Sequence, residues 1–336
     1  MTLRIITTTF LLLIFLTNCT SKTVKKYNPG HYISVSPGTE MSEIKHIHES
    51  GIKGVQKRYH WRMLEPQKGQ YDFSEIERDL RLLAENKKQL IVFIIDFSYW
   101  KRSALPEYLS AFDSQSEYGG FHPVRWHPEV VDRFIELGKA LGKKFDTNPN
   151  FEGIATQETS IEISDEGFEK YHYTADKHRD AIIDVLIGLQ NAMPNSHIFW
   201  YQNFLEGNDG HLRQIADTII DYGIFMGGPD ILPYRIAIRN ETYPMFEEYQ
   251  NKLVLFCSAQ DCSYKHHKGD VRLQEIEPVH PDGYLTMEEI FLYGRDSLHI
   301  QYMFWNCYYD GTDEGHRSFD DAIKVVNKYP TFNAIN

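Results

Sequence analysis

The chain has 336 residues, 42% hydrophobic and 14% aromatic, enough for one large core and about the size of a single barrel of roughly 250 residues plus loops. Its 35 basic and 47 acidic side chains give a formal net charge of −12, which argues against a nucleic-acid partner, since phosphate binding needs a basic face. No linker, fixed-period repeat or low-complexity tract divides it, so a single domain is expected.

The N-terminus comes first in chain order. Arg4 precedes the apolar run from Phe10 to Leu16, which is too short to span a bilayer and reads as the apolar centre of a signal peptide. Leu16-Thr17-Asn18-Cys19 follows, then a polar stretch. This arrangement resembles a bacterial lipoprotein signal, in which the Cys is lipidated and becomes the first mature residue. Asn18 stands where a small Gly or Ala is usual. The expected organisation is a signal peptide at 1–18, a lipid on Cys19, a tether at 19–28 and a barrel at 29–334. The protein is then exported, periplasmic or on the cell surface, and meets the membrane through its lipid alone. An ordinary signal peptide with an incidental Cys is the alternative.

Beyond the tether, short apolar runs alternate with longer amphipathic ones. Strands are predicted at 31–36, 54–59, 90–96, 153–156, 197–201, 223–226, 253–257 and 299–304. Helices are predicted at 40–49, 73–86, 128–145, 174–193, 212–222, 243–249, 286–298 and 319–329. In the second helix Ile76, Leu80 and Leu83 recur at helical spacing among charged residues, and Ser74-x-x-Glu77 has the form of a capping box. The strands are continuous apolar runs, as expected where a parallel sheet is covered on both faces. Eight strand–helix units predict the α/β class and a closed (β/α)8 TIM barrel. A dinucleotide-binding open sheet needs a Gly-rich turn after its first strand, and Ser34-Val35-Ser36-Pro37-Gly38 is not one.

Such a barrel carries its chemistry at the C-terminal ends of its strands. Arg58, Tyr59, His60 and Trp61 follow the second strand there, and Asp96, Tyr99 and Trp100 the third. Gln157-Glu158 ends the fourth and Gln202-Asn203 the fifth. Gly227-Gly228-Pro229-Asp230 follows the sixth, Gln260-Asp261 the seventh, and Trp305-Asn306 the eighth. Rings and amides on one rim suit a sugar, whose flat apolar faces and many hydroxyls need both. The paired glycines suggest an unusual backbone before Asp230.

One stretch carries a resemblance. Trp61, then Glu65-Pro66, then Gly69-Gln70-Tyr71-Asp72-Phe73 is similar to the second strand and following loop of clan A glycoside hydrolases. Family 42 β-galactosidase-like barrels and related bacterial lipoproteins are the nearest in pattern. The resemblance implies a glycosidase acting on an oligo- or polysaccharide, with a carboxylic acid pair on the rim and no cofactor. It implies that Glu158, ending the fourth strand, is the acid/base, with Gln157 in place of the usual Asn. It implies a strand-two arginine, Arg58, that holds the nucleophile carboxylate, and a strand-eight tryptophan, Trp305, beneath the sugar.

The clan expects a glutamate nucleophile at the end of the seventh strand, and none is present there. Asp261 is the nearest carboxylate and the expected second catalytic residue, with Asp230, Glu275 and Glu277 in reserve. A displaced Asp leaves room for an attacking water and an inverting reaction. Trp61, Asp96 and Asn203 are candidates for hydroxyl contacts. A non-catalytic carbohydrate-binding surface protein on the same barrel is the second reading. A hydrolase using one carboxylate and His60 is the third. No histidine or cysteine spacing suggests a metal site. Cys257, Cys262 and Cys307 form no disulfide framework, although Cys257 and Cys262 are close enough in sequence to pair.

Overall fold

The computed structural model describes residues 25–99, 102–116, 119–265, 284–308, 310–311 and 317–332. The expected signal peptide, Cys19, Trp100, Glu275 and Glu277 lie outside them. Eight parallel strands close a barrel: β1 (Gly30–Val35), β2 (Ile52–His60), β3 (Gln89–Ile95), β4 (Phe151–Ala155), β5 (His197–Tyr201), β6 (Phe225–Gly228), β7 (Leu255–Ala259) and β8 (Tyr302–Asn306). Each pairs with the next in sequence, and β8 returns to β1. The (β/α)8 barrel expected from the apolar rhythm is the fold.

Two cores hold it. Inside the barrel, Tyr32, Phe93, Phe199, Tyr201, Phe256 and Phe304 pack ring against ring, with Phe93 stacked on Tyr201 at 5.0 Å. A second, larger core lies between the strands and the surrounding helices. Continuous apolar strands are the consequence, because each buries both of its faces. Helices Pro128–Phe145 and Tyr243–Tyr249 begin and end where the sequence places them.

Other elements depart from expectation for local reasons. Only a single 3-10 turn, Met41–Glu43, forms in the stretch 40–49, where His46 takes a left-handed φ of 62° that a helix does not admit. Strands β6 to β8 start two or three residues late, β6 and β8 after turns at Gly223 and His299 with φ of 63° and 52°. Ser74 does not cap its helix: Phe73 is the N-cap residue, and Asp72 accepts from the Ser74 amide at 2.9 Å. A hairpin of Asp113–Gln115 and Phe121–Pro123, absent from the sequence prediction, folds over the rim after β3.

The far end of the barrel is closed by its own N-terminal segment. Glu152 accepts from the Asn28 amide and side chain at 2.9 and 2.7 Å and from the Tyr302 hydroxyl at 2.7 Å. Lys26 donates to the carbonyls of Asp146 and Asn148. Residues 25–28 of the expected tether are thus folded onto the base.

Candidate active site

Above the inner aromatic layer lies a polar one. Gln56 donates to the Tyr201 hydroxyl at 2.9 Å, and Tyr201 pairs with Ser258 at 2.8 Å. Arg58 sits over it, its guanidinium 5.1 Å from the Phe93 ring. One amine of Arg58 donates to Ser34 at 3.2 Å and the other to Gln260 Oε1 at 3.3 Å. The end of β7 therefore offers this arginine a neutral amide, where the resemblance leads one to expect a carboxylate.

Glu158 emerges beyond β4 into a cavity of about 240 Å3 that it shares with Asp230, Asn203, Tyr99, His122 and Arg235. Asn203 donates to Glu158 Oε2 at 2.6 Å. The oxygen of the same amide accepts from the Ser160 backbone at 3.0 Å, and Thr159 donates to the Phe204 carbonyl. These bonds lace the loops after β4 and β5 together and fix the glutamate. Burial pushes its carboxyl above the usual carboxylate range, Glu162 adds to this, and Arg58, Arg125 and the Asn203 bond oppose it.

Asp230, two residues past β6, is the second carboxyl of this cavity. Burial raises it to about 7, the charge of Glu158 adding to the effect and Arg235 and Arg58 opposing it. Its Oδ1 is buried with no hydrogen-bond partner among the described residues. The glycines before it are ordinary strand residues with no positive φ. What Gly227 supplies is closeness, since a Cβ there would lie 2.2 Å from the Phe256 carbonyl oxygen. The expectation of an unusual backbone is corrected accordingly.

The other sequence candidates separate. Asp261 opens the short helix Asp261–Tyr264 and is 47% exposed, against Lys265 at 2.5 Å. It sits at the solvent edge and does not line the cavity. Asp96 is held by Arg125 through two bonds of 2.8 Å, and Arg125 also donates to the Glu158 carbonyl, so Asp96 steadies the rim through the arginine. Gln157 lines a second cleft of about 60 Å3, which Glu158 and Asp96 also border, between the barrel and helices Pro128–Phe145 and Ala175–Ala192.

Two candidates are corrected outright. Trp305 is fully buried in the outer core, and its indole donates to His31 at 3.0 Å. Along β8 side chains alternate, so Phe304 faces the barrel centre and Trp305 the helices. Trp61 is likewise fully buried, bonded to Glu65 at 3.1 Å and edge-on to Phe134. Neither lines the cavity that holds Glu158 and Asp230. Arg125, Glu162 and His122 carry no motif and were not singled out by sequence. The hairpin that supplies His122 has no apolar run to mark it.

No family model matches the chain, and no curated protein does. Solved structures do. A glycoside hydrolase aligns with 89% of this chain and 99% of its own at a TM-score of 0.57 and 11% identity. Xylanase 10B from Thermotoga petrophila, in complex with xylobiose, aligns with 90% and 94% at 0.54 and 11%. The likeness extends to the fold, a closed (β/α)8 barrel. The β-galactosidase from Rahnella sp. R3 also aligns with this barrel at 0.53 and 10% identity, over 91% of this chain and 55% of its own.

Proposed function

We propose that the protein is a glycoside hydrolase acting on an oligo- or polysaccharide, with Glu158 as proton donor and Asp230 as general base. The observation that carries this reading is the pair of upward-shifted carboxyls lining one cavity at the C-terminal rim. A base with a pKa near the working pH is well matched to drawing a proton from water, and Oδ1 of Asp230, without a hydrogen-bond partner among the described residues, can accept it. Glu158, whose carboxyl burial also shifts upward and which Asn203 holds in place, donates to the glycosidic oxygen. The two titrate as a pair, and the working state holds one proton between them. Asp230 takes the place expected for Asp261. With Gln260 beside Arg58, attack by a strand-seven carboxylate is absent from this reading, and water is the nucleophile, giving inversion.

The experiment is a comparison of Glu158→Gln and Asp230→Asn on nitrophenyl and dinitrophenyl glycosides. A dinitrophenolate leaves without protonation, so Glu158→Gln retains activity on it while Asp230→Asn does not. Proton NMR of the fresh product shows inverted anomeric configuration. Retention of configuration, or full activity in both variants, overturns the proposal.

The neutral Gln260 also favours a second reading, a carbohydrate-binding barrel without turnover. Sugar binding by the wild type with no hydrolysis of any glycoside in the panel selects it. We further infer export and lipid anchoring at Cys19, supported by the sequence pattern. Loss of the wild-type protein from the membrane fraction on Cys19→Ala is the expected result, and firm retention overturns it.

A further inference from the structure

We propose that the cavity is a pocket for one neutral sugar, the terminal unit of a glycan, with Tyr99 as its aromatic lip. The inference rests on the reading of this cavity as the substrate site, and it adds what enters and how far.

Size is the first argument. At about 240 Å3 the cavity falls below the roughly 300–1,000 Å3 of pockets that hold drug-sized ligands, so one small ring fits and a chain of them does not. The walls are the second. Tyr99 is 56% exposed, one of few large rings left open among the described residues, and it stands edge-on to Phe97 at 4.9 Å. Phe97 in turn stacks on His122 at 4.6 Å and 15°. The three form a continuous wall beside Glu158, which suits the apolar face of a pyranose.

Polar recognition is the third argument. His122 is 2% exposed, and neither ring nitrogen has a hydrogen-bond partner among the described residues. Burial, with Arg125 adding to the effect, lowers its pKa to about 3, so it is neutral and reads hydroxyls rather than anions. Charge is the last. Among the described residues, Glu158, Glu162 and Asp230 line the cavity with one cation, Arg235, and even with one proton shared by Glu158 and Asp230 the acids stay in excess, a field that disfavours uronic acids and sulfated sugars. Cleavage at the mouth of such a pocket removes end units one at a time.

The test is calorimetric titration of the full chain carrying Glu158→Gln with glucose, galactose, mannose, xylose and glucuronic acid, and with trisaccharides of the neutral sugars. At least one neutral monosaccharide binds, and its trisaccharide gains less than about tenfold over it, that is, less than about 1.4 kcal/mol by the usual conversion. Glucuronic acid binds at least tenfold more weakly. Tyr99→Ala weakens the monosaccharide about tenfold, while Tyr99→Phe, which keeps the ring, recovers most of it. Tyr99 is exposed, so neither variant threatens folding. Binding of trisaccharides alone, preference for glucuronic acid, or indifference to Tyr99→Ala overturns the inference. Monosaccharide binding without hydrolysis of any glycoside sinks the hydrolase reading and leaves the pocket standing.

Discussion

Asn203 donates its side-chain amide to Glu158 Oε2 at 2.6 Å while its oxygen anchors the backbone of Ser160. One side chain thus couples the rim positions after two neighbouring strands. A bond to a charged group contributes about 1.5–3 kcal/mol, and each 1.36 kcal/mol is tenfold in rate. Asn203→Ala is expected to lower kcat/KM by about 10- to 100-fold. It also raises the Glu158 pKa, because the lost donor favoured the ionised form. A pH–rate profile unchanged in shape and height would show that this amide does not orient the acid.

Asp230 has a folded-state pKa of about 7, against about 3.9 in an unfolded chain. Folding therefore takes up a proton between those values. The stability linked to this side chain is fully present below about pH 4 and is lost as the pH rises toward 7. Asp230→Asn removes that loss. The variant is expected to melt above the wild type at pH 8, with the two converging near pH 4, and to be inactive throughout. Calorimetry across this range checks the sign, and a wild type that melts higher at pH 8 would mean that the carboxylate has a stabilising partner.

Trp305 is buried in the outer core and does not line the cavity of Glu158 and Asp230. Trp305→Ala is expected to cost roughly 3–5 kcal/mol, and Trp305→Phe less, with KM for any turned-over glycoside unchanged in the latter. Denaturant titration and steady-state kinetics read the two effects separately. A KM raised severalfold in Trp305→Phe at unaltered stability restores the sugar-floor role.

The misplacement of Trp305 marks where the sequence stops being legible. Its eight apolar runs are readable because each strand is buried on both faces, and the count and order of units follow from that alone. The same continuity erases the alternation that tells inside from outside, so Phe304 and Trp305 look equivalent until the register with β1 and β7 places them. Glu158 is legible from its position after the fourth strand. Asp230 lies past a Gly-Gly-Pro run whose only visible trait is flexibility, and its meaning comes from burial beside Glu158, a long-range property. His122 and Arg125 arrive on a hairpin and loop with no periodic pattern at all.

Arg58 offers the sharpest probe of the site's electrostatics. Its charge holds down the pKa of both Glu158 and Asp230, and it faces the neutral Gln260 at 3.3 Å. Gln260→Glu places a carboxylate at that point, which neutralises the arginine's field. Both acids then retain protons more strongly, so both limbs of a bell-shaped kcat/KM profile are expected to move to higher pH, by up to about one unit. The new carboxylate is also paired with a guanidinium and so ionised, the state a nucleophile needs. If the barrel's architecture alone decides the stereochemical outcome, this variant gains retained product alongside inverted. If the placement of Asp230 decides it, inversion persists and only the pH limbs move, which is the result the geometry of the cavity favours. Limbs that stay fixed would show that Arg58 does not act on the acid pair.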